Sequence, residues 1–344
     1  AATLHRLLEA TPDERGGMGF RRNSSNPLDA DFVIVDEASM IDLGIAAALL
    51  DALRPHTRLV LVGDADQLPP VGAGRFFKDL LDSGAVPAAR LSEIFRQAQQ
   101  SDIIVNAHMI NRGEMPPLRK NNRDFYFTAS RTAQSAANTV AELMVRRIPD
   151  RFGIEDIQVI CPSRRNTCGT EELNLLLQSA LNPPLEGKGE LKQGRVTFRT
   201  GDKVMQTRNN YDRTWFDDEH KQIGAGVYNG DVGVIVSVDE RAKLLSVSFD
   251  GKVTEYALLE LDELEHAFAI TAHKSQGSEY SAVIIPVFAC PPRLLMRNLL
   301  YTAVTRAKEL LVLVGREDMI ERMIANFESS KRYSALKRRL RQDE

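Results

Sequence analysis

The sequence predicts an α/β fold with more than one domain. Two apolar runs, Phe32-Val33-Ile34-Val35 and Leu59-Val60-Leu61-Val62, lead into Asp36-Glu37 and Gly63-Asp64, with an alanine- and leucine-rich stretch between them. Strands alternating with helices in this way build a parallel sheet. A similar alternation resumes after residue 90, and over about 195–262 it gives way to strand-like sequence punctuated by turn residues. That interruption reads as a small β-barrel inserted in the second domain.

Composition bounds the rest. The 344 residues are 43% hydrophobic and 26% charged, which suits two or more globular domains. A net charge of −3 gives no global basic signature, although local patches and backbone donors suffice to hold a phosphate chain. No apolar run approaches the roughly 20 residues that cross a bilayer, and no signal peptide is present. Cys161, Cys168 and Cys290 form neither a paired zinc spacing nor an even disulfide framework, which points to a reducing, cytoplasmic setting without a membrane partner.

The elements follow in order. Thr3–Glu9 reads as a short helix, and the polar, glycine-rich 11–30 as an exposed hairpin. The strand ending at Asp36 precedes a helix over about Leu43–Leu53; the strand ending at Gly63 precedes a loop and a helix around Ala73–Leu81. Both apolar runs have the composition of strands buried on both faces. Beyond Arg90 we place a helix near Asp102–Asn111, a strand at Asp124–Thr128, a helix at Ala133–Arg147, a strand at Ile157–Cys161 and a helix at Glu171–Ala180. In the insert, Asn229-Gly230 and Asp250-Gly251 are turn signals, the second joining Leu244–Phe249 to Val253–Tyr256. Strands near Phe268–Thr271, Ala282–Val287 and Glu309–Val314 close the pattern, with helices between and after them. The division is therefore 1–89, then 90–194 with 263–344, and the insert 195–262.

Ligands of open α/β sheets sit beyond the carboxyl ends of the strands, where Asp36, Glu37, Asp64 and Gln67 emerge. Adjacent acids there repel each other unless a cation or donors lie close. They suit Mg²⁺ coordination and water activation in nucleoside triphosphate hydrolysis. The bland alternative is a capped strand end. Gln67 is placed to sense a γ-phosphate, and Pro69-Pro70 reads equally as a rigid turn or a nucleic-acid contact. Arg96 and Arg306 are candidate arginine fingers, although single arginines are more often surface ion-pair residues. Ile270–Glu279 reads as a strand-to-helix junction whose N–H groups face phosphate, or else as a well-capped helix start. His5 taken alone is a surface histidine. The basic tail Lys337–Arg341 reads as a solvated helical end or a phosphate contact.

No segment fits the phosphate-binding loop Gly-x-x-x-x-Gly-Lys-Ser/Thr, since Gly187-Lys188 and Gly251-Lys252 are followed by Gly189 and Val253. With Ala1 in first place, the chain reads as a fragment lacking its upstream phosphate loop.

Taken in order, these strings resemble the RecD-like branch of superfamily 1 DNA helicases over nearly the whole chain. The resemblance implies two RecA-like domains, the first truncated, with ATP and Mg²⁺ bound between them and a small barrel in the second. It implies metal coordination by Asp36 and Glu37, with Glu37 activating water. Asp64, Gln67, Arg96, Gly277, Glu279 and Arg306 are implied to contact nucleotide, and Gln67, Arg96 and Arg306 to act in hydrolysis. Thr3, His5, Pro69, Pro70, Thr271, His273 and Lys274 are implied to face single-stranded DNA. The 11–30 hairpin resembles a strand-separating pin at a duplex/single-strand junction, with Phe20 packing on a base or folding back on the hairpin. The family further implies 5′-to-3′ polarity, roles in recombination or repair, and nuclease–helicase partner subunits. Alternative readings are a nucleic-acid- or partner-binding fragment without ATPase activity, the helicase part of a conjugative relaxase, and an RNA helicase of the same superfamily. Without the phosphate loop, the fragment alone is expected to be inactive.

Overall fold

The computed structural model describes residues 2–12, 18–91, 100–118, 123–217, 219–327 and 334–341. The chain divides into two compact units, 1–96 with 327–344, and 97–326. The first boundary falls at 96/97 where the sequence division had 89/90, and the tail beyond 326 joins the first unit where that division carried the second domain to 344.

In the first unit, Phe32–Val35 and Arg58–Leu61 pair in parallel, from Phe32 opposite Arg58 to Val35 opposite Leu61. Helix Leu43–Asp51 connects them; Asp42 caps it by accepting the Ile45 N–H at 2.9 Å. Its Ala46 and Leu49 join Leu8, Leu28, Val33, Val35, Phe76 and Phe77 in one core. The expectation of two buried faces is corrected here. Phe32, Ile34 and Val62 are 52%, 64% and 48% exposed, so the alternation is that of a sheet covered on one side only among the described residues. The expected hairpin is present as Ala10–Pro12 against Met18–Phe20, followed by a tight turn at Asn23–Asn26.

The tail is the expected helical end, Leu336–Arg341, with Arg338, Arg339 and Arg341 exposed, and it is also tied down. Leu336 packs on the first unit's core, and Arg341 donates to the carbonyls of Asp82 and Ser83 at 2.7 and 3.3 Å. Those carbonyls end helix Phe76–Ser83, where a cation favourably meets the helix dipole.

The second unit is built on a five-stranded sheet, wholly parallel, in the spatial order Ala269–Thr271, Ile157–Cys161, Tyr280–Val287, Ala307–Gly315, Phe125–Ala129. Helices Ala133–Glu142 and Thr170–Leu181 contribute Ala136, Val140, Leu173 and Leu177 to its core. The helix expected over 133–147 ends at Glu142 in regular form and continues through one wide turn, Leu143–Arg147, into Ile148–Phe152. Pro149 has no N–H for the ladder, and widening the preceding turn absorbs that loss.

The insert is an open barrel rather than a closed one: a seven-stranded antiparallel sheet whose edges are Gln222–Val227 and Leu264–His266, with the small hairpin Glu190–Gln193/Val196–Arg199 beside it. Its core holds Phe198, Ile235, Val247 and Tyr256. Asp250 and Gly251, both at positive φ, make the tight turn between Leu244–Phe249 and Lys252–Ala257. The Asn229-Gly230 turn joins strands that do not pair, since Gln222–Val227 is a sheet edge and Val232–Asp239 lies between two other strands. No helix among the described residues is long and apolar enough to cross a membrane.

Candidate functional site

The parallel pairing in the first unit delivers the acidic residues side by side. Past the strands, the Val62 N–H donates to the Val35 carbonyl and the Ala38 N–H to the Val62 carbonyl, both at 2.8 Å. Glu37 follows in the left-handed region at φ 52°, a conformation that costs a non-glycine residue energy and here turns the chain sharply between the two carboxylates. Asp36 is exposed; one of its oxygens accepts the Glu37 N–H at 2.8 Å, and the other has no protein partner among the described residues. Opposite, a Cβ at Gly63 would lie 3.0 Å from the N atoms of both Ala38 and Ser39, so glycine is what allows the two loops to come this close.

Asp64 organises the second loop. It accepts from the Asp66 N–H at 2.9 Å and from the Gln67 amide at 3.4 Å, and its carbonyl accepts the Gln67 N–H at 3.3 Å. The Oε1 of Gln67 is buried with no donor among the described residues, an arrangement that suits a water O–H as its donor. Ser39 Oγ is buried in the same condition, and sequence reasoning passed it over although it closes the Asp-Glu-Ala-Ser string. Among the described residues no three acidic, histidine or cysteine side chains form a metal cluster. Mg²⁺ is commonly held by one or two carboxylates plus water and phosphate oxygens, and an exposed Asp36 with an uncommitted oxygen fits that need.

Other candidates in this unit have structural partners. Thr3 caps the four-residue helix Leu4–Leu7, its hydroxyl accepting the Arg6 N–H at 3.3 Å. The His5 and Phe20 rings lie 6.1 Å apart, and Phe20 is partly buried against the core. Pro70 is buried and Pro69 half-buried. Arg96 lies outside the described residues.

In the second unit the 271–279 string separates into two groups. Thr271 ends its strand at the carboxyl edge of the sheet, where His273 and Lys274 follow it. The chain then crosses to the amino edge, where Tyr280 begins the next strand and Arg306 immediately precedes another. No helix intervenes, contrary to the sequence reading. The Lys274 and Ser275 N–H groups both donate to the Thr271 carbonyl, at 2.9 and 3.1 Å, and Gly277 at φ 76° completes a run of tight turns.

Arg306 is 5% exposed. Its guanidinium donates to the carbonyls of Thr302 and Ser278 at 3.2 and 3.3 Å and to the Thr305 hydroxyl at 3.3 Å. Glu279, beside it, pairs with Lys308 at 3.1 Å. The structure thus brings Gly277, Glu279 and Arg306 together and sets them apart from Thr271, His273 and Lys274.

Lys274 is not alone at the carboxyl edge. Its Nζ lies 2.6 Å from one oxygen of Glu265, whose other oxygen meets Arg164 at 3.3 Å. Neither Arg164 nor Glu265 stood out in the sequence, because the motif string contains neither.

The barrel carries a groove of about 820 Å³ lined in part by Arg213, Trp215, Phe216, Ile223 and Glu260. Its one arginine is committed to the fold. Arg213 meets Glu260 at 3.0 Å and Glu263 at 3.3 Å, and stacks 4.0 Å from the centre of the Tyr256 ring.

Known proteins resemble the chain in three segments and, as whole relatives, over most of its length. Residues 1–132 match an AAA domain, 173–249 the SH3 domain of ATP-dependent RecD-like DNA helicases, and 266–314 the UvrD-like helicase C-terminal domain. The chain is 36% identical over 309 residues to the ATP-dependent RecD2 DNA helicase of Deinococcus radiodurans, covering 90% of this chain and 39% of that protein. It is 32% identical over 355 residues to the RecBCD enzyme subunit RecD of Mycolicibacterium smegmatis, covering 99% and 59%. The chain therefore spans 39–59% of the length of these two relatives. A Bacteroides Pif1 helicase, solved in complex with ADP-AlF3 and single-stranded DNA, superposes with a TM-score of 0.51 at 18% identity, over 93% of this chain and 80% of that one. At that identity the likeness is one of fold.

Proposed function

The chain is RecD-like in sequence over 90–99% of its residues, and from that premise we propose that it is part of an ATP-dependent DNA helicase and translocase. The observation that carries this reading is the delivery of Asp36-Glu37 and Asp64-Gln67 to one sheet edge by two hydrogen-bonded parallel strands. The substrates are ATP and single-stranded DNA, with duplex/single-strand junctions as the site of unwinding. Movement is 5′ to 3′, in recombination or repair, and nuclease–helicase subunits of the kind that the RecBCD name denotes are the expected partners.

Bound Mg²⁺ supplies charge neutralisation across the phosphates, and Asp36 is the residue to hold it. Glu37 orients the attacking water and accepts its proton. Gln67 offers the buried Oε1 as an acceptor for that water and reports its position to Asp64 through its amide. Arg306, with Arg96, opposes the negative charge that develops on the transferred phosphoryl group. Gly277 and Glu279 stand beside Arg306 on the nucleotide side, whereas Thr271, His273 and Lys274 hold the strand. On the first unit Thr3, His5 and the Pro69-Pro70 turn complete the grip. Gripping through the backbone tolerates any sequence and weakens with salt.

Glu37→Gln in the intact parent protein tests the reading. DNA-stimulated ATP turnover should fall on the order of 100-fold or more, the usual contribution of a general base. Undiminished turnover removes Glu37 from the chemistry. Because no phosphate loop lies within the 344 residues, this chain on its own should bind strands yet hydrolyse ATP negligibly. Turnover by the isolated chain at a rate near the parent's would refute that.

A further inference from the structure

We propose that Arg164 and Lys274 form one seat for a backbone phosphate of single-stranded DNA, and that Glu265 is a built-in counter-ion which the strand must displace. This rests on the strand-binding reading above and adds two residues to it. Arg164 and Lys274 come from neighbouring parallel strands, Ile157–Cys161 and Ala269–Thr271, each three residues past its strand's carboxyl end. The Ala272 N–H donates to the Cys161 carbonyl at 3.2 Å and holds the two exits together. Sites on α/β sheets gather at such edges.

Arg164 is fixed by its backbone. Its carbonyl accepts the Glu171 N–H at 3.0 Å, and a Cβ at Gly169 would come within 2.5 Å of that oxygen. Glu265 is set by its strand pairing opposite Met205.

The two oxygens of Glu265 are shared, one to Lys274 at 2.6 Å and one to Arg164 at 3.3 Å. Two oxygens on one centre, each held by a different cation, is also how a phosphodiester presents its non-bridging pair. The side chains are accessible, with Arg164 63%, Lys274 24% and Glu265 28% exposed. The more exposed arm, Arg164–Glu265, contributes little to folding, about 0–1 kcal/mol. A second carboxylate, Glu171, lies 3.9 Å from Arg164. With both carboxylates in place the group is neutral, and a strand gains the two cations only when Glu265 turns away.

This makes a prediction that a plain cationic patch does not. Strand binding ordinarily releases diffusible counter-ions and so weakens with salt, by about 0.7 in log–log slope per phosphate on a single strand. A tethered carboxylate cannot be released, so these contacts add little to the salt dependence of the unmodified chain.

The experiment measures binding of a labelled oligothymidine to the 344-residue chain by fluorescence anisotropy across a potassium chloride series. Glu265→Gln should bind about fivefold tighter at low salt, the scale of one exposed ion pair released, with a slope steeper by about 0.7 or more. Adding Arg164→Gln to Glu265→Gln should remove most of that gain. Binding by the unmodified chain that Glu265→Gln leaves unchanged or weakens overturns the counter-ion while leaving the strand-binding reading intact. A gain that survives Arg164→Gln overturns the seat. Absence of binding by the unmodified chain and every variant overturns the strand-binding reading and this proposal with it.

Discussion

Asp202 is the residue whose loss should unfasten the barrel from its parent domain. It is fully buried and accepts four hydrogen bonds: from the Gln178 amide at 2.6 Å, the Asn182 amide at 2.7 Å, the Arg199 N–H at 2.7 Å and His266 Nε2 at 3.1 Å. Gln178 and Asn182 belong to helix Thr170–Leu181 and its cap, whereas Arg199 and Asp202 belong to the insert. In Asp202→Ala the two amides keep a second acceptor each, the carbonyls of Thr197 and Thr200 at 2.7 and 3.1 Å. The Arg199 N–H and His266 lose the carboxylate outright. Each orphaned buried donor costs about 1–3 kcal/mol, so the loss is about 4 kcal/mol at the centre of the range. For a unit of this size that lowers Tm by roughly 8–16 °C. Thermal unfolding followed by the chain's single tryptophan, Trp215 in the barrel, measures it. A fall of less than about 2 °C refutes the accounting. The pH dependence has a definite sign. Burial pushes the Asp202 carboxyl up, but the bonds from His266, Asn182 and the Arg199 N–H outweigh it and hold the group below its ordinary 3.8. Its contribution is therefore full above that value and is lost as pH falls through the lower folded-state value, so the difference between parent and variant should begin to narrow only below about pH 4.

Gly63→Ala in the intact parent should lower DNA-stimulated ATP turnover by up to about tenfold with little change in Tm, because the added methyl pushes the Gln67 loop from the Glu37 loop by a few tenths of an ångström. Steady-state turnover and a melt on the same preparation check the two halves. Gly224→Val places a Cβ where Trp215 Cζ2 now lies only 2.3 Å away, and should cost about 1–3 kcal/mol while shifting tryptophan emission to the red. Burial pushes the Cys161 thiol well up and Cys168 up to about 11, so at pH 8 iodoacetamide should leave both unmodified in the folded chain and label both in urea, as read by mass spectrometry.

The alternation of apolar runs and helical stretches in the second domain was legible almost to the residue, as at Ile157–Cys161. A five-stranded sheet with helices on it imposes a period that local sequence must obey. Leu244–Phe249 and its partner were equally plain, because Asp250-Gly251 can adopt the positive φ that a two-residue turn demands. The failures have a common cause, which is that neighbours in space are not neighbours in sequence. Ile34 looks like a doubly buried strand residue until one asks what lies on its other side. The serines of 275 and 278 resemble a helix cap, yet the Ser275 hydroxyl bonds back to the Ala272 carbonyl at 2.9 Å and the chain turns into a strand. Arg341 is exposed as its sequence suggests, but the carbonyls it caps were not legible because they are more than 250 positions away. Site residues inside contiguous motifs were found; Arg164 and Glu265, each in a segment unremarkable by itself, required the fold.

One stretch, 264–279, ties these levels together. Its first residues, Leu264–His266, are the last strand of the barrel, pairing with Lys203–Gln206, and His266 enters the Asp202 cluster. The next three are gripped by the parent domain: Asn174 donates to the carbonyls of His266 and Ala269 at 2.9 Å each and accepts the Ala269 N–H at 2.8 Å. Gln158 donates to the carbonyls of Ala267 and Phe268, and Lys203 from the barrel donates to Gln158 in turn. Lys274 follows at one edge of the sheet, and Gly277–Glu279 at the other beside Arg306. A displacement of the barrel therefore acts on this strand as well as on helix Thr170–Leu181. No flexible linker lies between Glu265 and Thr271 to absorb it, since almost every backbone group there is held by a buried amide or a sheet partner. If strand entry turns Glu265 away from Lys274 as proposed, the force is applied to the same backbone that leads to Gly277 and Glu279, twelve and fourteen positions later. If Lys274 meets the strand and Gly277–Glu279 meet nucleotide as proposed, coupling between them requires no long-range relay, only this one short segment.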